Sequence, residues 1–518
     1  MKRPFLIYPF FFALFPVLSL FSHNVGEVSF TEMFLPALVL LILTTILLVL
    51  FRLILSDTRK AAIMAVVFLI LSMSYIHVYQ SIDWEIAGFM IGRHRNLMPI
   101  WVLLFGCWAY FIRRTRRNLI GFTKTLNVLG LVLVIIPLVT IVSHKFRTNN
   151  TMWHSKAIEG FGTEQQLSVN PQNLRDIYYI ILDRYASADT LKQVWDFDNK
   201  EFLDYLTNKG FFVAAESRSN YLKTAHSLAS SLNAQFINFL GKQVGEKSND
   251  WLPLYQMLQD YKVQRFLKKK GYKYLHFGSW WAPTSENIHA DMNFKLRQLP
   301  EFSSTLFRTT IFYPIAIALG MLDHREEIHK RVLYKFDALG EIPKMSEPTF
   351  VFAHMIISHS PYVFDRHGNF LTEDEVNKKS RRENYIDQLL FTNMKVKVLI
   401  DKLLSDSKIK PIIILQSDEG TFPERHFREG ENFKNLNWKR ATDAELKEKL
   451  SILNAYYFPD VDNSALYPSI TPVNSFRLVF NLYFGTNLQL LPDESYAFVD
   501  EYHLYSFFDV TDKVTRSQ

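Results

Sequence analysis

Cysteine is almost absent from this sequence. Its 518 residues include a single cysteine, Cys107, so no disulfide can form within one chain. A chain without disulfides has to be held together by buried apolar side chains, and an exported domain of about 370 residues is large enough for this. The fold must therefore rest on hydrophobic cores and not on covalent cross-links.

Other common features are missing as well. The sequence has no internal repeat and no low-complexity tract. No small-residue cleavage site follows its first apolar block, and further apolar blocks come after it, which argues against a removable signal peptide. The formal net charge is only +7, with a pI of about 9.0. This modest surplus suits work beside anionic lipid or phosphate.

Long apolar runs dominate the first part of the chain. A helix needs about 20 apolar residues to cross a bilayer, and five blocks approach this length: residues 5–21, 33–55, 61–78, 98–112 and 126–142. One such block would fit a buried core helix, but five in succession predict a transmembrane domain over residues 1–144. The fourth block is the weakest, because it is short and carries Pro99.

Lysine and arginine are distributed unevenly between the loops that join these blocks. One set of loops carries Lys2, Arg3, Arg52, Arg59, Lys60, Arg113, Arg114, Arg116 and Arg117, whereas the opposite set carries only Arg93 and Arg95. Because cytoplasmic loops are enriched in these residues, the amino terminus is predicted to lie in the cytoplasm. Five spans then place everything after residue 142 in the periplasm or outside the cell, as part of a multi-pass protein of the inner or plasma membrane.

The rest of the chain reads as a linker, residues 145–174, and an α/β domain, residues 175–518. Three short apolar runs, residues 176–183, 350–357 and 411–417, alternate with helical patterns such as 200–209, 227–240 and 385–404. This alternation predicts a mixed, mostly parallel sheet sandwiched by helices. Ligands of such sheets bind beyond the carboxyl ends of the strands, where Asp183 and Asp418 lie.

One apolar segment of the α/β domain is ambiguous. Residues 305–322 are almost long enough to cross a bilayer, but Arg308 and Pro314 interrupt them. A crossing would also put Asp183 and Asp418 on opposite sides of the membrane. A buried helix is therefore the preferred interpretation, and a helix that lies on the membrane and helps to fetch a lipid substrate is the alternative.

The candidate chemistry rests on carboxylates and one hydroxyl. Asp183 ends the first predicted strand, Asp418 and Glu419 end a later one, and Thr224 precedes a helical run. Each alone fits a solvated strand end or a helix cap. Together, three converging carboxylates would repel one another unless a divalent cation lay among them, with the Thr224 hydroxyl as a further ligand. Such an ion would lower the hydroxyl pKa and make Thr224 a nucleophile.

The motifs around these residues are specific. "ILDRYASADTL", "FDN", "SNYLKTAHSLASSLN", "FAHMIISHSPYVFD" and "LQSDEG" resemble the alkaline phosphatase/sulfatase superfamily, over roughly residues 176–493. With the leading spans, the chain is similar to the membrane branch that contains lipoteichoic acid synthases and lipid A phosphoethanolamine transferases. The resemblance implies that Asp183, Asp418 and Glu419 are metal ligands, that Thr224 is both ligand and nucleophile, and that His359 contacts the substrate phosphate.

The sequence departs from this family in two places. The family usually has Asp-His-Gly where this chain has Asp418-Glu419-Gly420. Either glutamate ligates, which favours Mn²⁺ or Mg²⁺ over Zn²⁺ as the single divalent ion, or the site has lost its chemistry. The sulfatase motif Cys/Ser-x-Pro-x-Arg is also absent, since the nucleophile position reads Thr224-Ala-His-Ser-Leu. Phosphate esters are therefore better substrate candidates than sulfate esters.

Three further side chains are weaker candidates. His226 either lines the phosphate pocket or faces solvent, and Arg425 either reaches the substrate anion or belongs to a solvated loop. His354 lies inside an apolar strand and is interpreted as a core histidine.

The sequence thus predicts a membrane-anchored, metal-dependent enzyme. It would transfer or hydrolyse phosphate esters outside the cytoplasm, with a lipid-linked donor and with an envelope glycan or water as acceptor, and no nucleic-acid partner is expected. The alternative is an envelope protein that keeps the fold as a binding or scaffold module, with Glu419 marking the lost catalysis.

Overall fold

The computed structural model of the chain describes residues 5–81, 85–86, 89–90, 93–149, 174–296, 299–425 and 436–515. It divides into two compact units. Unit 1 comprises Met1–Met152 and Gln298–Asp323, and unit 2 comprises Trp153–Arg297 and His324–Gln518. Of the predicted linker, residues 145–149 continue the last helix of the first segment, and residues 150–173 lie outside the described part of the chain.

Unit 1 is built mainly from five helices. These are α1 (Tyr8–His23), α2 (Phe34–Leu55), α3 (Thr58–Ser81), α4 (His94–Arg114) and α5 (Ile120–Asn149), with a small antiparallel pair of strands, β1 (Glu85–Ile86) and β2 (Phe89–Met90). Helix α3 packs against α1, α2 and α4, while α1 also packs along α5. Buried side chains of α1 such as Val17 and Phe21 form the centre of this packing.

Four of these helices are long and apolar enough to cross a membrane. They correspond to Phe30–Leu55, Thr58–Ser81, His94–Arg114 and Ile120–His144. Four of the five predicted blocks therefore form helices of suitable length and composition. Helix α1 has only 16 residues, or about 24 Å of helix against a hydrocarbon core of about 30 Å. The fourth block, which is the weakest in the sequence, is not the short helix. Polar residues at both of its ends extend it to a helix of 21 residues that includes Pro99.

The other helices follow in chain order. They are α6 (Ala188–Gln193), α7 (Lys200–Asn208), α8 (Thr224–Asn233), α9 (Leu252–Gln259), α10 (Lys262–Lys269), α11 (Glu301–Arg308), α12 (Phe312–Ala318), α13 (His324–Leu339), α14 (Glu373–Asn377), α15 (Arg381–Asp406), α16 (Asp443–Leu450), α17 (Pro472–Phe484) and α18 (Thr511–Thr515). Helices α11 and α12 belong to unit 1, and the rest of this series belongs to unit 2.

Unit 2 contains a seven-stranded sheet. Its strands are β3 (Ile177–Leu182), β4 (Phe212–Val213), β5 (Lys273–Phe277), β6 (Met292–Phe294), β7 (Thr349–Met355), β8 (Ile412–Gln416) and β9 (Asn454–Tyr457), in the spatial order β4-β9-β8-β3-β7-β5-β6. The five strands from β8 to β6 run parallel, and β9 and β4 pair antiparallel. Strands β10 (Tyr496–Phe498) and β11 (Phe507–Asp509) form a separate hairpin.

Strand β3 is apolar throughout because both faces of the sheet are covered. Ile177, Tyr179 and Ile181 enter one hydrophobic core with residues of α8, α10 and α17. The alternate residues, Tyr178, Ile180 and Leu182, enter a second core with residues of α7, α13 and α15. The predicted α/β class with a mostly parallel sheet is therefore confirmed, and the three predicted strands are the adjacent β7, β3 and β8.

The ambiguous segment 305–322 folds as the end of α11, a short joint and α12. It is grouped with unit 1, and Phe302 and Leu306 of α11 lie in the same core as Val17 and Phe21 of α1. The segment is thus partly buried, but against the apolar N-terminal helices and not inside the α/β sandwich.

Candidate metal centre

Three neighbouring strands bring the candidate ligands to one edge of the sheet. Asp183 directly follows β3, and its backbone N–H donates to the Met355 carbonyl oxygen at 3.0 Å. His354 of β7 is paired in register with Ile181 of β3. Asp418 follows the end of β8, the other neighbour of β3. Because parallel strands end at the same edge, residues far apart in sequence meet there.

Asp183, His354 and Asp418 form a compact buried group. Each offers one ligand atom, and these atoms all lie within 4.8 Å of one another. The relative exposures of the three residues are 3%, 0% and 1%. His354 Nε2 lies 3.3 Å from Asp183 Oδ2.

The group contains polar atoms that the described residues do not satisfy. Asp183 Oδ1, Asp418 Oδ2 and His354 Nε2 are buried and have no hydrogen-bond partner among the described residues. An unsatisfied buried polar group costs about 1–3 kcal/mol, and more when charged. One divalent cation bound by two carboxylate oxygens and one imidazole nitrogen would satisfy all three atoms, so the residues present fit a metal ion.

Burial also shifts the pKa values of these three side chains. Burial, and then the negative charges of Asp183 and Glu419, raise the pKa of Asp418 to about 7. Burial also raises the pKa of Asp183 to about 7, although Arg184 opposes the shift. Burial lowers the pKa of His354 to about 4, so this imidazole is neutral at pH 7. A neutral imidazole is the form that binds a metal.

A hydrogen bond orients His354. Its Nδ1 lies 2.8 Å from the Thr284 hydroxyl oxygen, which in turn lies 2.8 Å from the Ser279 hydroxyl oxygen. With the proton on Nδ1 and donated to Thr284, the Nε2 lone pair faces the two aspartates. Metal-binding histidines are commonly held in this way by their second nitrogen.

Thr224 reaches this group from the start of a helix. It is the first residue of α8, after the extended Lys223, and its hydroxyl is close enough to the Asp418 carboxylate to oppose the rise in the pKa of that group. The side chain is only half-buried. The free N–H groups of a helix start favour an anion at the same position, so the hydroxyl lies between the carboxylates and a place that suits phosphate.

Glu419 has protein cations as partners. Its Oε1 lies 2.9 Å from Arg184 Nε and 2.6 Å from Lys449 Nζ. Burial alone would raise the pKa of Glu419, but the positive charge of Lys449, and then that of Arg184, lower it to about 2. The glutamate is therefore ionised and paired with two cations, whereas Asp183 has only a longer contact, 4.0 Å from its Oδ1 to Arg184 Nε.

The loop after Glu419 explains why Lys449 is so close. The Gly420 N–H donates to the Lys449 carbonyl oxygen at 2.8 Å, and a Cβ at this position would lie 2.2 Å from the Glu448 carbonyl oxygen. Only glycine permits this approach. The end of α16 therefore lies directly against the Asp-Glu-Gly loop.

Three cations surround the ring of Phe422 at the edge of this group. The distances from its centroid are 3.8 Å to Lys449 Nζ, 4.5 Å to the Arg184 guanidinium and 5.2 Å to Lys223 Nζ. Lys449 is fully buried, while the side chains of Arg184 and Lys223 keep about a fifth of their surface exposed. We call these three residues the cationic rim. Such a rim attracts an anionic group to the carboxylates and Thr224.

His359 lies beside the rim. It is half-buried in a small cleft that is also lined by Arg184, Ser358, Tyr362, Arg381 and Phe422. Its Nδ1 donates to the Ser360 carbonyl oxygen, which leaves the Nε2 lone pair available. Burial, and then the nearby Arg184, lower the pKa of His359 to about 3, so the ring is neutral.

Two predicted substrate contacts have other partners. His226 is fully buried, its Nε2 lies 3.1 Å from the Leu504 carbonyl oxygen, and its ring stacks on Phe498 at 4.9 Å. Arg425 is exposed and its Nε lies 2.9 Å from Glu445 Oε1. The predicted contact of each with substrate stays a prediction, whereas Thr224, Asp183 and Asp418 are brought together as expected.

Three residues of the site are not predicted from the sequence: His354, Arg184 and Lys449. The apolar strand around His354 favours a core residue, although its place next to the end of that strand is a usable signal. Lys449 carried no signal, because a lysine in the charged helix "DAELKEKL" resembles any solvated lysine.

Fold and site together define an α/β domain with a candidate metal centre at its strand ends, in a chain with an apolar helical unit. A family model described as Sulfatase matches residues 192–445. This match confirms the resemblance of the chain to the alkaline phosphatase/sulfatase superfamily. None of the curated proteins matches the sequence significantly.

Several solved structures are similar to this chain at low identity. The periplasmic domain of EcEptC from Escherichia coli is 14% identical, with 65% of this chain and 92% of that chain covered and a TM-score of 0.43. The lipooligosaccharide phosphoethanolamine transferase EptA from Neisseria meningitidis is 15% identical, with 91% of this chain and 94% of that chain covered and a TM-score of 0.36. The lipoteichoic acid synthase LtaP from Listeria monocytogenes is 14% identical, with 62% of this chain and 77% of that chain covered and a TM-score of 0.38. Values this low leave the function to be inferred from the residues of the site.

The Glu419–Lys449 pair gives a first prediction. Lys449→Met leaves a buried carboxylate with only Arg184, and breaking a buried ion pair costs about 3–5 kcal/mol. The free energy of unfolding of unit 2 should fall by this amount in urea denaturation of the detergent-solubilised protein. Lys447→Met, in the same helix, is the control and should change little.

A double variant tests the pairing itself. Glu419→Gln combined with Lys449→Met removes both charges and should regain most of the lost stability. If the double variant is as unstable as the sum of the two single variants, the two side chains do not stabilise each other.

The raised carboxyl pKa values give a second prediction. Without metal, the native state binds protons at Asp183 and Asp418 more tightly than the unfolded chain does, whose aspartate pKa is about 3.8. That stabilisation is complete below this value and is lost as the pH rises through about 7. A divalent ion replaces these protons, so its stabilising effect should be large at about pH 8 and small at about pH 5.

The measurement is the melting temperature with and without Mn²⁺ or Zn²⁺ across this pH range. The groups that face the two carboxyls are Arg184, Thr224, His354, Glu419 and Lys449. Asp418→Asn should remove most of the metal-dependent increase at high pH. An increase that is equal at both pH values, or that persists in Asp418→Asn, would contradict the assignment.

Proposed function

We propose that this protein is a membrane-anchored, metal-dependent phosphotransferase or phosphohydrolase that acts on phosphate esters. The observation that carries the proposal is the buried Asp183–His354–Asp418 group, whose unsatisfied atoms fit one divalent ion, with the Thr224 hydroxyl close to Asp418. Sulfate esters are weaker candidates, since the chain has no cysteine or serine at the nucleophile position.

In this proposal Asp183, His354, Asp418 and Thr224 hold the ion. The imidazole of His354 adds a nitrogen donor to the expected oxygen set, so Zn²⁺ suits the site as well as Mn²⁺, while an all-oxygen set would favour Mg²⁺. Glu419, which was expected to ligate, contributes instead through its charge, because its carboxylate is shared by Arg184 and Lys449. When bound, the ion lowers the pKa of a coordinated hydroxyl and neutralises phosphate oxygens.

Thr224 acts as the nucleophile. Its oxygen forms a bond to phosphorus while the bond from phosphorus to the ester oxygen of the leaving group breaks, which gives a phospho-threonine intermediate. The proton that the Thr224 hydroxyl loses is balanced by the proton that the departing oxygen takes up. The start of α8 and the exposed cations of the rim, Arg184 and Lys223, hold the negatively charged oxygens of the phosphoryl group. An acceptor hydroxyl or water then attacks the same phosphorus and releases Thr224.

His359 contacts the substrate from the cleft beside the rim. Because its Nδ1 proton is donated to Ser360, the Nε2 lone pair can accept a hydrogen bond only from a donor such as the hydroxyl of an acceptor or a water molecule. This arrangement supports a role for His359 in positioning the second nucleophile. His226 and Arg425 would support the site indirectly, through the packing of α8 and of the loop after Glu419.

The donor is a lipid-linked phosphate ester, and the acceptor is an envelope glycan or water. Four helices able to cross a membrane support a substrate that resides in the lipid, since a soluble substrate needs no such anchor. The distribution of lysine and arginine supports a cytoplasmic amino terminus with unit 2 in the periplasm or outside the cell.

One observation favours a second candidate function. Glu419 stands where the family usually has a histidine, and it is held in ion pairs, so the ligand set differs from the family pattern. A protein that has lost catalysis and acts as an envelope scaffold would also fit this departure. The two candidates differ in whether Thr224 becomes covalently modified.

The experiment detects the covalent intermediate. The purified protein is loaded with Mn²⁺ or Zn²⁺, incubated with vesicles of phosphatidylglycerol or phosphatidylethanolamine, quenched in acid and mapped by mass spectrometry. We expect a phosphoglycerol or phosphoethanolamine adduct on Thr224, absent from Thr224→Ala and carried by the serine in Thr224→Ser. Thr207→Ala, an exposed threonine of α7, is the control and should keep the adduct.

Two results would count against the enzyme. An adduct on another residue would overturn Thr224 as the nucleophile. The absence of any adduct from metal-loaded wild-type protein with both lipids would favour the scaffold.

A further inference from the structure

Unit 1 contains an apolar segment that comes from the middle of the α/β part of the sequence. Helices α11 and α12 lie in unit 1, whereas the flanking stretches Trp153–Arg297 and His324–Gln518 belong to unit 2. Residues 309–322 contain no aspartate, glutamate, lysine or arginine. Arg308 and Asp323 stand at the two ends of this uncharged stretch.

The segment is attached to the sides of the N-terminal helices. Phe302 of α11 packs edge-to-face on Phe21 of α1 at 6.2 Å. The N–H of Ile311, in the joint between α11 and α12, donates to the Ser72 carbonyl oxygen of α3 at 2.9 Å. The ring of Phe312 in α12 packs on the ring of Phe68 in α3, with 6.2 Å between the ring centroids.

These contacts lie at a depth where α3 crosses the membrane. Ser72 is about 14 Å along the helix from its last residue, Ser81, and about 21 Å from its first, Thr58. A helix of this length extends only about 3 Å beyond each side of a hydrocarbon core of about 30 Å. From either end, the contact with Ile311 and Phe312 is therefore about 10 Å or more inside the hydrocarbon layer.

The outer side of α12 and the residues after it carry large exposed apolar side chains. The relative exposures are 37% for Ile315, 47% for Ile317, 69% for Leu319 and 71% for Met321. Other helices of unit 1 expose similar side chains, among them Leu53 and Val102. The apolar surface of α12 is therefore of the same kind as that of the helices that are able to span a membrane.

The backbone of the segment is satisfied as a membrane requires. In the joint, the N–H groups of Thr309 and Thr310 donate to the Leu306 and Phe307 carbonyl oxygens, and both threonine hydroxyls donate to the same two acceptors. After α12, the N–H groups of Leu319, Gly320 and Met321 donate to the carbonyl oxygens of residues 315, 317 and 316. Non-spanning backbone is tolerated in lipid only when its polar groups are paired in this way.

We propose that residues 309–322 form a re-entrant segment that enters the lipid bilayer and leaves it on the same side. The acyl chains of the membrane lipids contact its exposed apolar surface. Both ends of the segment continue into unit 2, so a complete crossing would require the folded α/β domain to be divided between two sides of the membrane. Lipid contact through Leu319 and Met321 makes this segment a second attachment of unit 2 to the bilayer, in addition to the chain connection after α5.

The test measures what surrounds single side chains in a bilayer. Nitroxide labels are placed on Leu319→Cys and on Met321→Cys in a Cys107→Ser background, and the full-length protein is reconstituted in phospholipid nanodiscs, where both faces of the membrane are open to water. Ile288→Cys, at a residue of unit 2 with 78% exposure, is the control. Paramagnetic resonance then gives the collision rates of each label with oxygen, which concentrates in lipid, and with a water-soluble nickel chelate.

The expected result is a several-fold excess of oxygen collisions over nickel collisions at 319 and 321, with the reverse ratio at 288. A nickel rate at 319 and 321 as high as at 288 would put these side chains in water and overturn the proposal. Low rates for both reagents would also overturn it, because they would mean that protein, such as a second copy of the chain, covers the surface. The result does not depend on catalysis, so it is independent of the proposed function.

Discussion

Two buried aspartates with little compensating positive charge determine what this site can do. Asp183 and Asp418 are buried beside each other at the ends of β3 and β8, and burial raises the pKa of both to about 7. The nearest candidate counter-charges, Arg184 and Lys449, are committed to Glu419. The pair is therefore costly as it stands and becomes favourable only with protons or with a metal ion. At neutral pH, a divalent ion is the better solution.

The departure from the family pattern has a structural counterpart. Glutamate at position 419 brings a negative charge where the family usually has a histidine, and the fully buried Lys449 balances that charge at 2.6 Å. An imidazole is still present near the aspartates, but it comes from His354 in the neighbouring strand β7. The chain thus retains two carboxylates, one imidazole and one hydroxyl in one place, although the histidine comes from a different strand. This combination supports a working site better than a lost one.

Much of the fold could be predicted from the sequence, because buried parallel strands are apolar throughout and end in polar residues. The same rule placed Asp183 and Asp418 at one edge of the sheet. The sequence does not determine the register between neighbouring strands or the distances between side chains of the site. The pairing of His354 with Ile181, which brings the imidazole to Asp183, depends on strand alignment. Lys449 is buried only because Gly420 lets the end of α16 approach, and α12 was ambiguous because its apolar residues fit a core and a bilayer equally well.

The central claim is that the two aspartates share one divalent ion, and elemental analysis tests it most directly. Purified protein is equilibrated with Mn²⁺ or Zn²⁺, desalted and analysed for metal per chain. Asp176→Asn is the matched control, because Asp176 precedes the opposite end of β3 and bonds to Thr349. The account predicts about one ion per chain in the wild type and in Asp176→Asn, and almost none in Asp183→Asn or Asp418→Asn. A wild type without bound metal, or uptake that survives loss of either aspartate, would contradict it.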